Sequence, residues 1–342
     1  MSTANLDSYN LKSALVNGLI NEDVMAKIWD ISKIPLPLTD MIGSDTHGNE
    51  YMEWTQDSLA APAIDNKVID GDDIDQNDTA TGVRVGNHSQ TSVKEVKVST
   101  RAIESDTIGR ANELSYQVMQ RQQELKRDLE ASMLSNNPSI TGTDAVAGQA
   151  GGLDAWLETN AIYAGGDGTD GGFNTGTGIV DAYTLGTAAA LTETDVRDVA
   201  EQVFTEGGNP TVFMAVPSVI RKFSEYLFSS SARIATLTAE TNQKGPAKAV
   251  GSVNVFVTDF GVTLDMIPNR LQQNTAADTS SAFLIDPAHL RQSFLHAPRT
   301  EALAKTGLSD KRLMSCDWTF VVTTEKAHGK ISDIDNTAAV TA

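Results

Sequence analysis

The stretch that most constrains this chain runs from Ser105 to about Ser135 and reads as one long helix. Ser105, Asp106 and Thr107 offer capping oxygens ahead of its first apolar residue. Pro138, behind Asn136 and Asn137, stops it, because the residue before a proline resists the α region. Its apolar positions, Ile108, Ala111, Leu114, Val118, Leu125 and Leu129, recur at spacings of three, four and seven. The remaining surface is Gln, Arg, Glu and Lys, and Lys126 and Glu130 are spaced for a one-turn ion pair. At ~1.5 Å per residue the rod would be roughly 45 Å long. Such a thin seam predicts a helix that lies along the outside of a core and supports it.

Composition bounds what the rod can support. With 342 residues, about two domains are expected at ~150 residues each. A 40% hydrophobic content is enough to build a core. No apolar run approaches the ~18 residues of a membrane span, and the first residues are neither basic nor apolar enough for a signal peptide. Cys316 is the only cysteine, which excludes a disulfide framework and any multi-cysteine metal site. The net charge of −19 argues against a tight nucleic-acid grip, which needs a basic face to displace counterions.

Before the rod, Val24, Met25, Ile28 and Trp29 form one face of a short helix beginning near Asn21, and Ile34-Pro-Leu-Pro-Leu ends it. This helix reads either as docked on the core or as an arm reaching a neighbouring subunit. From Tyr51 to about Arg101 the chain is β-like and polar: a short strand at Tyr51, Glu53 and Trp54, an acidic tract from Ile69, then strands over Gly82–Gly86 and Ser92–Ser99 joined by a turn at Gly86-Asn87. Too little apolar surface is present here for self-burial, so a resting place on another subunit is expected. In the acidic tract Asp73, Asp75 and Asn77 match three calcium-loop positions. Asp78 and Arg84 then stand where glycine and glutamate are required, so no metal site is expected.

After the rod, a Gly/Thr/Asn/Asp-rich region from Thr141 to Gly186 contains Gly166, Gly168 and Gly171 in a GxGxxG pattern. A dinucleotide site needs a buried strand before that pattern and a helix opening at it; here Tyr163-Ala precedes it, more glycines follow and no helix begins, so it reads as a flexible surface loop. From Leu191 an α+β segment follows. Thr192 and Asp195 predict a capping box with Leu191 and Val196 as its staple, and Val196, Val199, Ala200, Val203 and Phe204 a buried helix face. A buried strand at 211–216 and a helix from Pro217 come next, then strands at 253–257, 263–267 and 282–286. Met314, Cys316, Trp318, Phe320 and Val322 alternate with less apolar residues, as in a long strand with one face buried. The last dozen residues read as a frayed tail.

Catalytic motifs are absent from the sequence. There is no Walker loop, HExxH or GxSxG, the five histidines are scattered, and Cys316 lies on the apolar side of its strand. No catalytic, cofactor-binding or metal residues are expected.

The order of parts resembles the major capsid proteins of tailed bacteriophages, whose fold is sometimes called the Johnson fold. Within that family the text resembles the head proteins of a podovirus-like group of Salmonella phages. Three stretches carry the resemblance: Val212-Phe-Met-Ala-Val-Pro-Ser-Val-Ile-Arg-Lys-Phe, Phe283-Leu-Ile-Asp-Pro-Ala-His-Leu, and the run from Arg299 through Val321-Val-Thr-Thr-Glu-Lys-Ala-His-Gly. The resemblance implies an N-terminal arm at 1–48 and an extended β-hairpin loop (E-loop) at 49–103. It implies a spine helix with the first part of a peripheral P-domain at 104–189, an axial A-domain at 190–297, and a C-terminal P-domain strand with a tail at 298–342. It further implies hexamers and pentamers in an icosahedral shell around double-stranded DNA, assembled from protein made in the host cytoplasm. Because the chain opens directly on the arm, a separate scaffolding protein is expected, with portal and decoration proteins as further partners. Contact with DNA would be weak, and no membrane is involved. No covalent crosslink is carried over, since Lys67 lies in the loop without an identifiable acid and asparagine. The alternatives are a surface-layer or virion accessory protein and, further off, an enzyme. Within the implied fold, Leu114, Val118, Leu125 and Leu129 are expected to pack on the strand carrying Trp318 and Phe320.

Overall fold

The structure is a computed structural model that describes residues 35–65, 67–71, 82–105, 112–227, 255–272 and 274–340. In chain order the described elements begin with α1 (Pro37–Met41), β1 (Gly43–Thr46), β2 (Tyr51–Gln56), β3 (Val83–His88), β4 (Gln90–Ser99) and α2 (Thr100–Glu104). Next come α3 (Glu113–Met133), α4 (Leu153–Trp156), β5 (Ala161–Tyr163), β6 (Gly172–Asn174) and β7 (Ile179–Asp181). The chain continues with α5 (Glu193–Thr205), β8 (Val212–Ala215), α6 (Pro217–Leu227), β9 (Val255–Val257), β10 (Thr263–Pro268) and β11 (Thr279–Ile285). It ends with β12 (Leu290–Ala302), β13 (Ser309–Val322) and β14 (Gly329–Asp335).

Two sheets organise these elements. One has the order β1-β12-β13-β4 and the other β5-β14-β11-β8-β10-β9. In the second sheet, residues on β8 and β11 alternate between two cores. Val212, Met214, Phe283 and Ile285 face the core shared with α3 and the first sheet. Phe213, Ala215, Ala282 and Leu284 face the core under α5 and α6. Being covered on both sides, β11 is buried along its whole length, as a central strand with no solvent face must be. The expected α+β arrangement is present: β8 runs parallel to β10 and antiparallel to β11.

The long helix is shorter than its sequence pattern suggested. It spans 21 residues, about 30 Å, and starts where the Asn112 side chain accepts a hydrogen bond from the Ser115 amide. Ser105 does not cap it. The Ser99 hydroxyl caps the separate short helix α2, and Ser105 closes that helix at its C-terminal end. Ile108 and Ala111 lie outside the described residues, as do the short helix expected near Asn21 and the acidic tract at 72–80. The thin seam is also deeper than expected at one end: Leu125, Leu129, Glu130 and Met133 are all buried.

Strand pairing differs from expectation at Gly86-Asn87. These residues lie inside β3, which pairs with β2, whereas β4 pairs with β13. The reason is side-chain chemistry. Asn87 is fully buried; its amide nitrogen donates to the carbonyls of Gly151 and Phe320, and its oxygen accepts from the Gly151 amide. Gly86 leaves room for the Tyr51 ring, since a Cβ there would come within 2.6 Å of Tyr51 Cζ.

Three further expectations change. Two glycines of the GxGxxG pattern are packed rather than loose: Gly168 abuts the Tyr163 ring and Gly171 the backbone of Asp181, whereas Gly166 has open space around it. Phe204 turns outward and stacks on Phe260 at 5.4 Å, although Val196, Val199, Ala200 and Val203 are buried and the Thr192–Asp195 capping box forms. The first part of the expected tail, residues 331–335, belongs instead to β14, inserted between β5 and β11, with Ile331 and Ile334 in the second core.

Gly86→Ala should destabilise the subunit by about 1–3 kcal/mol, because the added methyl cannot clear the Tyr51 ring or the Met52 carbonyl. Urea denaturation checks this, with Gly48→Ala, which meets nothing within 4 Å, as the tolerated control.

Candidate functional site

The residues singled out from sequence converge on one seam. Leu125, Leu129 and Met133 of α3 share a core with Met314, Cys316, Trp318 and Phe320 of β13, and Leu114 and Val118 pack against it half-buried. Val96 and Val98 of β4 complete the floor. The helix therefore rests on two neighbouring strands rather than on β13 alone. Trp318 is fixed in place by its indole N–H, which donates to Ser92 Oγ at 3.0 Å. Lys94 of β4 reaches Asp128 of the helix at 2.5 Å on the outer side.

Glu130 is the residue that sequence reasoning missed. The anticipated surface pair with Lys126 does not form. The Glu130 side chain points inward and is fully buried. Its carboxylate accepts from the Leu38 amide (2.8 Å), the Thr39 amide (2.8 Å), the Thr39 hydroxyl (2.5 Å) and Asn269 Nδ2 (2.8 Å). It thus satisfies the free backbone N–H groups at the start of α1 and ties them to the residue just past β10. Leu38 is buried beside it. One side chain joins the spine helix, the root of the N-terminal segment and the six-stranded sheet.

The β2–β3 hairpin is fastened to the body through its strands. Trp54 lies against Trp156, which stacks on Phe173 with centroids 5.8 Å apart. The Tyr51 hydroxyl donates to the Gly178 carbonyl and Gln56 Nε2 to the Thr323 carbonyl. Beyond Gln56 the chain leaves the body. Leu59 and Ile64 are 99% and 100% exposed, and Val68, Ile69 and Val83 are exposed as well.

Buried polar groups elsewhere serve as internal pegs. Lys330 Nζ donates to the Asp154 backbone carbonyl at 2.8 Å, sits 3.8 Å from Asp154 Oδ1 and lies over the Tyr183 ring at 4.2 Å. Ser281 and Ser332 hydroxyls donate to the same carboxyl group. Burial pushes the Asp154 carboxyl up and the Lys330 amine down. His328 is also buried; loss of hydration, reinforced by His289, brings it down to about 3, so it stays neutral and its Nδ1 accepts from the Asp286 amide. Burial raises the Cys316 thiol to about 11, which makes it an inert packing group. His47 bridges Ser89 and Ser293, holding β1 and β12 to the turn after β3. Each of these groups is already engaged in holding elements together, and among the described residues no cluster of His, Cys, Asp or Glu is arranged for a metal ion.

Comparisons with known proteins converge on one architecture. The family model for the SU10 major capsid protein matches residues 3–335. A curated relative, the major capsid protein of Escherichia phage Phieco32, is 25% identical over 308 residues, covering 82% of this chain and 85% of its own. Among solved structures, a protein of Mycobacterium phage Adephagia superposes with a TM-score of 0.60 at 12% identity, covering 98% of this chain and 100% of its own. The capsid of a native GTA particle gives 0.62 at 11% identity, with 96% and 99% covered. An encapsulin from Synechococcus elongatus gives 0.56 at 12% identity over 98% of both chains. These structures share the fold.

Leu125→Ala should cost about 2–5 kcal/mol in subunit stability by chemical denaturation, whereas Lys126→Ala on the exposed side should stay within about 0.5 kcal/mol. Glu130→Ala leaves four buried or half-buried donors without an acceptor and should cost about 3 kcal/mol or more. For His328 the folded pKa lies below the unfolded value of 6.5, so the unfolded chain takes up the proton first and stability falls as pH drops below 6.5. His328→Asn keeps an acceptor but cannot titrate. Between pH 6.5 and about 4 its melting profile should be flatter than the parent's by up to about 1.4 kcal/mol per pH unit.

Proposed function

From the premise that this chain belongs to the SU10 major capsid protein family, we propose how it builds its shell. Subunits join as hexamers and pentamers into an icosahedral shell around double-stranded DNA. The observation that carries the proposal is the extended loop. Leu59, Ile64, Val68 and Ile69 stand in solvent on a segment that its own subunit leaves uncovered. Exposed apolar residues clustered on one projecting segment mark an interaction surface, and a second copy of the chain, laid under the loop, would bury them.

In this reading residues 1–48 are the arm and 49–103 the E-loop. Residues 104–189 supply the spine helix and the first part of the P-domain, 190–297 the A-domain, and 298–342 the returning P-domain strand and the segment after it. The six-stranded sheet that forms the body of the A-domain also recruits β5 and β14 from outside 190–297. The seam of Leu114, Val118, Leu125 and Leu129 on Trp318 and Phe320 gives the tile its stiffness. A stiff tile with soft edges suits a lattice, because each loop adds a modest buried area that recurs at every subunit contact.

The role is structural rather than enzymatic, a reading supported by family membership and by buried polar groups such as Glu130 and Lys330 that hold elements together. A net charge of −19 favours a lining that packaged DNA slides past. A separate scaffolding protein, a portal and decoration proteins complete the particle, and the subunits are made in the host cytoplasm before they enter the virion.

The test is electron microscopy of the protein expressed with its scaffold. The parent chain should form closed particles. A variant carrying Leu59→Ser, Ile64→Ser, Val68→Ser and Ile69→Ser should fold with an unchanged melting temperature yet yield free subunits or capsomers. Closed particles of normal yield from that variant, or sheets and fibres from the parent, would overturn the reading.

A further inference from the structure

Among the described residues, Lys330 and Asp154 are the oppositely charged pair set deepest in the fold, with side chains 0% and 1% exposed. Lys330 stands on β14 and Asp154 on α4. The amine Nζ lies 3.8 Å from Asp154 Oδ1, and its 2.8 Å hydrogen bond to the Asp154 backbone carbonyl keeps it beside that carboxyl group. The rings of Tyr183 and Tyr163 lie 4.2 Å and 5.6 Å from Nζ. Burial on this scale is costly for a pair whose charged ends stay farther apart than a hydrogen bond.

The surroundings suit a reaction between the two groups. Ser281 Oγ donates to Asp154 Oδ2 at 2.8 Å, and Ser332 Oγ donates to Oδ1 at 3.3 Å. Donors on both oxygens would stabilise the charge that develops when the carboxyl carbon is attacked. Burial also drives the carboxyl towards its protonated form and the amine towards its neutral form. Those forms are the electrophile and the nucleophile of a condensation.

A third group stands close by. β14 bulges where Ser280 pairs with Ile334 and Ala282 with Ile331, so Ser332 and Asp333 share the position opposite Ser281. Asp333 adopts a φ of 60° there, a left-handed conformation that a non-glycine residue keeps only where its surroundings enforce it. It is fully buried; its Oδ2 accepts from the Gly186 amide at 2.9 Å, and its Oδ1 has no hydrogen-bond partner among the described residues. Its charge acts on both Lys330 and Asp154. The other acids whose charge reaches Lys330 are engaged: Asp170 accepts from the Tyr163 hydroxyl, and Glu325 from the amides of Glu158 and Thr159.

We propose that Lys330 and Asp154 condense into an isopeptide bond inside the folded subunit. Nζ forms a bond to Cγ of Asp154, a Cγ–Oδ bond breaks, and one water leaves. Asp333 accepts the proton that Nζ gives up and returns it to the departing hydroxyl. The step needs no oxidant, reductant or co-reactant. Two buried ionisable groups become one neutral amide. The bond closes a ring between residues far apart in the chain, which restricts the unfolded state. It modifies the interior of one subunit and stands independently of the shell reading.

The test is mass spectrometry of the full chain, taken from free subunits and from particles after overnight expression. The expected product is lighter than its sequence by the mass of one water. Trypsin should release a branched peptide joining 128–197 to 327–342, because cleavage after Lys330 is blocked. Lys330→Met, which has no amine, should show no water loss and an unlinked 128–197 peptide. Asp333→Asn keeps an acceptor for the Gly186 amide but cannot carry the proton. At equal expression time its linked fraction should be at least about tenfold lower than the parent's. Separate peptides 128–197 and 331–342 from a parent chain of full mass would overturn the bond. A water loss that persists in Lys330→Met, or that maps to another peptide, would overturn it as well. Linkage in Asp333→Asn equal to the parent's would overturn the part given to Asp333.

Discussion

A carboxylate buried without its own counter-charge is costly unless donors surround it. Glu130 meets that condition by gathering two backbone amides, a hydroxyl and a side-chain amide from two distant parts of the chain, so that with its own helix three parts meet. The cost of leaving it unsatisfied couples those parts. The spine helix cannot shift along its axis without dropping the start of α1, and the end of β10 cannot swing without releasing Asn269. Apolar packing sets how tightly α3 sits on β4 and β13, but packing alone tolerates sliding. The directional bonds at Glu130 define the register.

The same division of labour recurs between the two cores. Methyl and aromatic groups fill both sides of the six-stranded sheet, and that burial is non-directional. Polar pegs then specify which strand meets which loop. Asn87 holds β3 to Gly151 and to the end of β13. Lys330 and Asp154 hold β14 to α4. Asn160 donates to the carbonyls of Lys326 and His328 and so locates the approach to β14. A shell subunit has to present the same edges in every copy, and pegs of this kind remove the alternative packings that a purely greasy core would allow.

Local signals were legible where local chemistry decides the outcome. The capping box at Thr192 and Asp195 is a contact between residues three apart, and the alternation from Met314 to Val322 reports a strand whose first half has one wet face. Glu130 was misread because a glutamate four residues from a lysine looks like a surface pair, and nothing nearby in sequence announces donors more than ninety residues upstream. Asn87 resembled a turn residue because asparagine after glycine usually is one; its partners lie at Gly151 and Phe320. The last dozen residues looked like a tail, yet residues 331–335 belong to β14, where Ser332 and Asp333 are buried among apolar neighbours. The seam candidates Leu114, Val118, Leu125, Leu129, Trp318 and Phe320 came out together, since a period of 3.6 on a helix and of 2 on a strand survive in any context.

The place of β14 has a consequence for how the subunit is made. β5 finds its sheet neighbour only in β14, and β11 is flanked by β14 on one side. During synthesis β5 emerges long before its partner, so the six-stranded sheet stays open along that gap until β14 has cleared the ribosome. Closing a gap between strands so distant in sequence is slow, because the loop entropy is lost before the pairing is gained. A nascent chain released before Gly329 would carry two unpaired strand edges, the kind of surface that captures other chains. Completion of this sheet is therefore timed to the emergence of β14, and quality control of the growing polypeptide has that one step on which to act.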